Sequence, residues 1–376
     1  MALLAGVFAA TFAFCSPFSD AFRRVPLSAT RQAILRTPAT SEAVLMSAAT
    51  ESGEDAPATA ELMLTTVRND ASGADARRGI FRFTSETPGV GVGRDATMLE
   101  NVKQVGDDLF QGTMITEDEL KRRIVAESRK LMFFIHGFNV QSGGMLGSSK
   151  DMQEEFDKNR AQEVLVVPVH WACGDRLGIL RDYDSDQRVA VTTADAVSRL
   201  FLEDSELLPK LKEKGLNVVA HSMGNRVLRF VGKKTAPSSE WDLVKLDDAS
   251  ASLHDAAPEG LRARQSLFDN IFLVAADVPC DVMEEDEAIE SGFASLSVLA
   301  EKLHVLHAFD DLALQASRGV NRSPRRLGTS GPTRMWSKMN NVAVHNCNRW
   351  NGKKDWLIGH GYQAVPQVVD YYLRHM

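Results

Sequence analysis

The sequence predicts an α/β fold, with a mostly parallel, doubly wound sheet and helices on both faces. Two observations carry that expectation. Short apolar runs recur at residues 131–135 (LMFFI), 164–169 (VLVVPV), 216–220 (LNVVA), 271–276 (IFLVAA) and 303–309 (LHVLHAF). Each is nearly continuous in apolar character instead of alternating, as strands buried on both faces of a parallel sheet are. Between them lie stretches with helical spacing, such as 186–212, where Val189, Val191, Ala194, Val197, Leu200 and Phe201 mark an apolar stripe. Strand–helix alternation of this kind builds a layered α/β domain.

Ahead of these runs, residues 61–66 (ELMLTT) and 80–84 (IFRFT) are expected to add antiparallel edge strands. Val365 to Leu373 reads as a closing helix. Two insertions, residues 235–268, polar and helix-like, and residues 319–338, basic with Gly, Ser and Pro, are candidates to cover a pocket. The domain boundaries follow from composition. Residues 1–21 form a signal-like hydrophobic segment, with the apolar run ALLAGVFAATFAF at 2–14, too short to span a bilayer. Residues 22–60 combine a transit-peptide-like stretch, with four arginines and no acid in 22–41, and an Ala/Ser/Thr/Glu linker. The single folded domain is placed at 61–376. A hydrophobic run, then Ala21-Phe22, then an Arg/Ser/Thr segment resembles the bipartite presequence of algae with secondary plastids. A plastid is therefore the expected destination, with mitochondrion or secretory pathway as alternatives.

The bulk composition narrows the partners. A formal charge of −7 over 376 residues gives no basic footprint for nucleic acid. No stretch of the mature chain reaches the length of a transmembrane helix. Cys15, Cys173, Cys280 and Cys347 are widely scattered, so neither a zinc site nor a disulfide framework is expected.

The chemistry centres on Ala220-His221-Ser222-Met223-Gly224. This pentapeptide follows a buried strand and precedes a helix, and it fits a nucleophile elbow with alanine in the first glycine's place. Such a turn exposes a serine hydroxyl above the carboxyl edge of the sheet. The Met223 amide is one expected oxyanion donor. A second belongs on the loop after an earlier strand, and FFIHGFN (133–139) supplies one, with the Phe138 amide as candidate. His136, Gly137, His221 and Trp171 are the expected substrate-binding residues.

A serine of this kind needs a base, and the base needs a carboxylate, in the order Ser…Asp…His. His221 sits within the elbow, where its side chain is expected to point away from Ser222; His304 and His307 fall in a strand, His345 in another. His360 lies in a glycine-flanked loop (Ile358-Gly359-His360-Gly361-Tyr362) just before the last helix, so it is the expected base. Three carboxylates follow apolar runs. Asp311 is ranked first, with Asp310 and Asp277 behind, each alternatively a helix N-cap.

Taken together, HGFN (136–139), His170-Trp171, LRDYDSD (180–186), AHSMGNRVL (220–228), LVAADV (273–278), FDDLALQASR (309–318) and GHGY (359–362) resemble a little-characterised alpha/beta hydrolase family. It is known mainly as a domain of unknown function in bacteria and algae. The likeness spans roughly residues 62–376 and implies an alpha/beta hydrolase fold. It puts the presumed triad acid on Asp311, at the head of Asp-x-Ala-Leu-x-x-Ser-Arg. Family members usually show Trp-Pro where this chain has Trp171-Ala172, a departure expected to touch the pocket rim.

The expected activity is hydrolysis of a small-molecule carboxylic ester, through an acyl-enzyme and without metal or organic cofactor. Phe138, Met145, Leu146 and Trp171, near the expected pocket mouth, make lipid a candidate substrate class, although core packing is the first expectation for such apolar residues. The alternatives are a non-catalytic ligand-binding or scaffold protein of the same fold, and an acyltransferase.

Overall fold

The computed structural model describes residues 64–68, 92–106, 109–115, 117–140, 142–159, 163–171, 173, 179–198, 202–203, 206–235, 253–262, 264–321, 325–333, 340–350 and 359–376. The presequence, the linker and the expected strand at 80–84 lie outside the described residues.

Nine described strands form one sheet: β1 (Leu64–Arg68), β2 (Val92–Gly106), β3 (Leu109–Ile115), β4 (Lys130–Ile135), β5 (Val164–His170), β6 (Leu216–His221), β7 (Phe268–Val274), β8 (Ala300–His307) and β9 (Val342–Asn346). Their order is β3-β2-β1-β5-β4-β6-β7-β8-β9. Every ladder from β1 across to β9 is parallel. The antiparallel part is confined to β1–β2 and β2–β3. The sequence placed residues 61–66 on an antiparallel edge. The strand there lies inside the sheet instead, pairing parallel with β5 through Thr65↔Val169 and antiparallel with β2.

The apolar runs become strands because both their faces are covered. Leu131, Phe133, Ile135, Val167, Val218 and Ala220 join one core cluster. The alternate residues Met132, Phe134, Val166, Val219 and Phe272 join the other. That parity is the period-two geometry of a strand with helices on each side. Each Phe or Leu fully buried in this way contributes roughly 1.5–3 kcal/mol.

Helices α1 (Glu117–Ala126), α2 (Ser142–Asn159), α3 (Ile179–Ser198), α4 (Leu207–Lys214) and α5 (Gly224–Thr235) fill the first half of the domain. Then come α6 (Glu285–Ser291), α7 (Phe293–Leu299), α8 (Leu312–Asn321), α9 (Leu327–Ser330) and α10 (Pro366–His375). Met152 and Phe156 of α2 pack with Val368 and Tyr372 of α10 on one face. Ala190 and Ala194 of α3, Val227 and Val231 of α5, and Phe293 of α7 pack on the other. The helix expected over 186–212 is divided: α3 ends at Ser198 and α4 begins at Leu207. The closing helix starts one residue later than expected, with Pro366 at its first position, where a missing N–H costs nothing.

The chain leaves β4 for β5 on one side and reaches β6 on the other. The carboxyl ends of β4 and β6 therefore flank a topological switch point, the crevice where open α/β sheets bind ligands. β4 ends at the His136-Gly137-Phe138 loop and β6 ends at Ser222.

Candidate active site

Ser222 has φ of 53°, left-handed backbone for a residue that is not glycine. Holding such a residue there costs on the order of 1–3 kcal/mol, and surrounding bonds must over-determine it. They do. The Ser222 N–H donates to the Val274 carbonyl at 3.0 Å, and the Ser222 carbonyl accepts from the amides of Asn225 and Asp277 at 3.2 and 3.1 Å. The buried Asn225 amide group donates to the carbonyls of Ala220, Ser222 and Val274 at 2.9, 3.0 and 3.3 Å. The turn is thereby tied to the end of β7.

Two glycines let the neighbouring loop close on this turn. A Cβ on Gly224 would stand 2.5 Å from the Ile135 carbonyl oxygen and 2.6 Å from that of His136. No side chain fits between the start of α5 and the end of β4. A Cβ on Gly137 would stand 2.8 Å from Ser222 Cβ and 3.3 Å from both Ser222 Oγ and His221 Nδ1. The backbone of the HGFN loop thus lies directly against the serine.

His136 and Trp171 hold that loop in place. The Trp171 amide donates to His136 Nε2 at 3.1 Å, and the indole N–H donates to the His136 carbonyl at 2.8 Å. With Nε2 accepting, the neutral ring carries its proton on Nδ1, which meets the Gly137 carbonyl at 3.0 Å. The two rings stack with centroids 5.5 Å apart. Trp171 is 0% exposed and His136 1%, so both sit beneath the loop as its floor. Trp171, which the sequence sets near the pocket mouth, is thus a buried residue behind that loop. Phe138 is also buried, its ring edge-on to Tyr183 at 5.2 Å. Met145 is fully buried in α2, while the side chain of Leu146 lies outside the described residues.

His360 occupies the loop at 359–361. Its Nδ1 lies 2.7 Å from Asp311 Oδ2, and both side chains are buried. Asp311 Oδ1 accepts from the Leu314 amide at 3.0 Å, so the same carboxylate also caps the start of α8. Burial pushes the Asp311 carboxyl above its ordinary value, against the opposing pull of His360 and the Leu314 amide.

His221 braces this arrangement. Its Nε2 meets the His360 carbonyl at 3.0 Å, and the two rings lie 4.7 Å apart. Burial, helped by the neighbouring His360, holds its pKa down to about 3. The ring is therefore neutral near pH 7 and donates Nε2–H to that carbonyl. The sequence expected this ring to point away from Ser222; its Nε2 does face the His360 loop, while its Nδ1, like Ser222 Oγ, faces Gly137.

Residues 113–375 match the family model described as "Alpha/beta hydrolase of unknown function (DUF900)". The chain belongs to that family. No curated protein matches the chain. Among solved structures it is similar to "Crystal Structure of TT1662 from Thermus thermophilus", at 14% identity over 66% of this chain and 87% of that one. The TM-score there is 0.32, too low to add to the fold assignment. As a DUF900 member the chain carries hydrolase chemistry in general, with the scissile bond left open by the family.

The other two carboxylates of this DUF900 chain have different surroundings. Asp310 is exposed and accepts from Asn348 Nδ2 at 3.3 Å. Asp277 is buried against Arg326, whose Nε lies 3.2 Å from Oδ1, with both side chains under 4% exposed. Ser317 Oγ donates to Oδ1 at 2.5 Å, and Tyr183 Oη donates to Oδ2 at 2.5 Å. Burial alone would raise this carboxyl; Arg326 and Arg226, with those two hydroxyls, hold it below its ordinary value. No described contact joins it to His360.

Sequence reasoning missed Asn225, Tyr183, Ser317 and Arg326. Three of them lie inside the quoted motifs AHSMGNRVL, LRDYDSD and FDDLALQASR, where the motif was visible but the partner was not. Arg326 had no signal beyond a basic segment. Among the described residues, no group of three His, Cys, Asp or Glu side chains is placed to hold a metal ion. No described helix is long and apolar enough to cross a membrane.

Proposed function

We propose that this DUF900 protein is a serine hydrolase that cleaves a small carboxylic ester. The observation that carries the reading is the 2.7 Å contact of His360 Nδ1 with buried Asp311, beside an elbow whose serine holds a left-handed backbone. An ordinary strand-to-helix turn needs neither. Asp311 holds the imidazole with its proton on Nδ1 and stabilises the imidazolium that forms. His360 Nε2 then accepts the Ser222 proton as Oγ attacks the ester carbonyl.

Negative charge developing on the carbonyl oxygen is met by the Met223 and Phe138 amides, each such donor being worth about 3 kcal/mol in the transition state. The protonated His360 delivers its proton to the departing alkoxide. Water, deprotonated by the same ring, then releases the acyl group as carboxylic acid and restores Ser222. This sequence of steps calls for no metal or organic cofactor. Acyl transfer would use the same residues, with an alcohol taking the place of water in the second half-reaction. The composition of residues 2–41 supports delivery of the enzyme to a plastid.

The test is labelling of the chain from residue 58 onward with a fluorophosphonate, followed by intact mass and peptide mapping. One adduct on Ser222, absent in Ser222→Ala and His360→Ala, together with turnover of short p-nitrophenyl esters, is expected. A folded protein that takes up no probe at Ser222 would sink the reading.

A further inference from the structure

Away from Ser222, the described surface carries a concave groove of about 620 Å³ between α8 and α9. It is shallow and open to solvent, so a ligand there would be covered on one side only. Phe309, 66% exposed, and the buried Leu314 give it an apolar part. Arg318, one turn after Leu314 on α8, gives it a polar part together with Arg325, just ahead of α9, and Thr329 and Ser330 within α9. Among the described residues, no acidic side chain lines the groove. Arg318 and Arg325 are exposed, and neither guanidinium has an ion pair or hydrogen bond among the described residues.

Two uncompensated cations sharing one concavity run against the charge of the whole chain, which is −7. Like charges brought together without a counter-charge repel, so the arrangement favours an anion between them. A guanidinium offers a planar fork that matches phosphate oxygens two at a time. Ser330 adds a hydroxyl donor at α9, where Thr329 Oγ1 already donates to the Arg326 carbonyl at 2.8 Å. A phosphate, with three terminal oxygens, uses this donor set more completely than a carboxylate with two. Phe309 is a large apolar ring left in solvent at the groove's edge, and it gives an alkyl group somewhere to lie.

We infer that this groove binds a small alkyl phosphate ester, its phosphate held between Arg318 and Arg325 and its apolar part against Phe309 and Leu314. The site is independent of the reading of Ser222. It shares α8 with Asp311 but uses that helix's exposed face, two turns further on.

The test is isothermal titration of the protein from residue 58 onward at fixed salt. The probes are dodecyl phosphate below its micellar concentration, inorganic phosphate, and the neutral dodecyl maltoside. Saturable one-to-one binding of dodecyl phosphate is expected, about tenfold or more tighter than inorganic phosphate, with no binding of the maltoside. Arg318→Ala with Arg325→Ala should weaken both phosphates about tenfold or more at unchanged Tm. Phe309→Ser should weaken dodecyl phosphate alone. If the double variant melts early, Arg318→Gln by itself carries the same comparison.

Equal affinity in wild type and arginine variants overturns the proposal, as does the lack of saturable binding by either phosphate. Binding to phosphatidylglycerol vesicles without binding of monomeric dodecyl phosphate overturns it too, since the patch would then face a membrane instead of holding a single ligand.

Discussion

Asp277 and Asp311 stand just beyond the carboxyl ends of adjacent strands, β7 and β8, and both are buried. Their partners differ in kind. Asp277 meets a fixed cation and two hydroxyls, Arg326, Ser317 and Tyr183, and its carboxyl is held low. Asp311 meets a titratable ring and one backbone amide, and burial holds it high. The first arrangement fixes a charge permanently and ties the end of β7 to α3, α8 and Arg326 at the start of α9. The second couples a carboxylate to a proton acceptor that can change state. Burial alone does not assign a carboxylate its task; what it faces does.

Exchanging the roles of the two should break the comparison, and the largest effect belongs to Asp311. Asp311→Asn is expected to lower ester kcat by about 10,000-fold, as loss of the orienting carboxylate does in Ser-His-Asp enzymes generally. Its urea midpoint should move little. Asp277→Asn should do the reverse. Removing one partner of a buried ion pair costs about 3–5 kcal/mol, read as a lower urea midpoint, with kcat of the folded fraction retained. Replacing Asp277 and Arg326 together by leucine should recover much of that loss.

Acid offers a third test. His221 and His304 are held down to about 3 by burial, and His307 and His345 are lowered in the same direction. The unfolded chain takes up protons near 6.5 that the fold refuses, so stability falls as pH drops from 6.5 toward 3. Each of the two deepest histidines contributes roughly 1.4 kcal/mol per pH unit in that window. The raised Asp311 acts with opposite sign, because the fold then binds its proton before the unfolded chain does. Urea titrations at pH 7.5, 5.5 and 4.5 should show a net loss on acidification.

The smallest effect sharpens the Asp277 side. Tyr183→Phe removes one hydroxyl from the buried carboxylate and should cost roughly 1–3 kcal/mol. The edge contact between this ring and Phe138 remains in the variant, so kcat should stay within a few-fold. A large kcat loss would mean that the hydroxyl acts on the His136–Phe138 loop.

The strands were legible because β4, β5 and β6 are buried along their lengths, and continuous apolar runs are the trace that such burial leaves. β2 was not: VGRDATMLENVKQVG carries four charged residues and no long apolar run, and its structure comes from antiparallel pairing on both sides. The elbow could be read because strand, turn and helix are contiguous in sequence. Trp171 could not be placed, since an aromatic residue after a strand suits a pocket's mouth or its floor equally. Asp277 and Asp311 looked alike along the chain because each follows an apolar run. Only the spatial approach of Arg326, 49 positions further on from Asp277, and of His360, 49 positions from Asp311, tells them apart.

The most direct measurement is the rate of fluorophosphonate labelling at Ser222 in wild type, Asp311→Asn and Asp277→Asn, each in conditions where it is folded. The account predicts that labelling collapses in Asp311→Asn and continues near the wild-type rate in Asp277→Asn. Labelling that survives in Asp311→Asn and vanishes in folded Asp277→Asn would contradict it and transfer the triad to the end of β7.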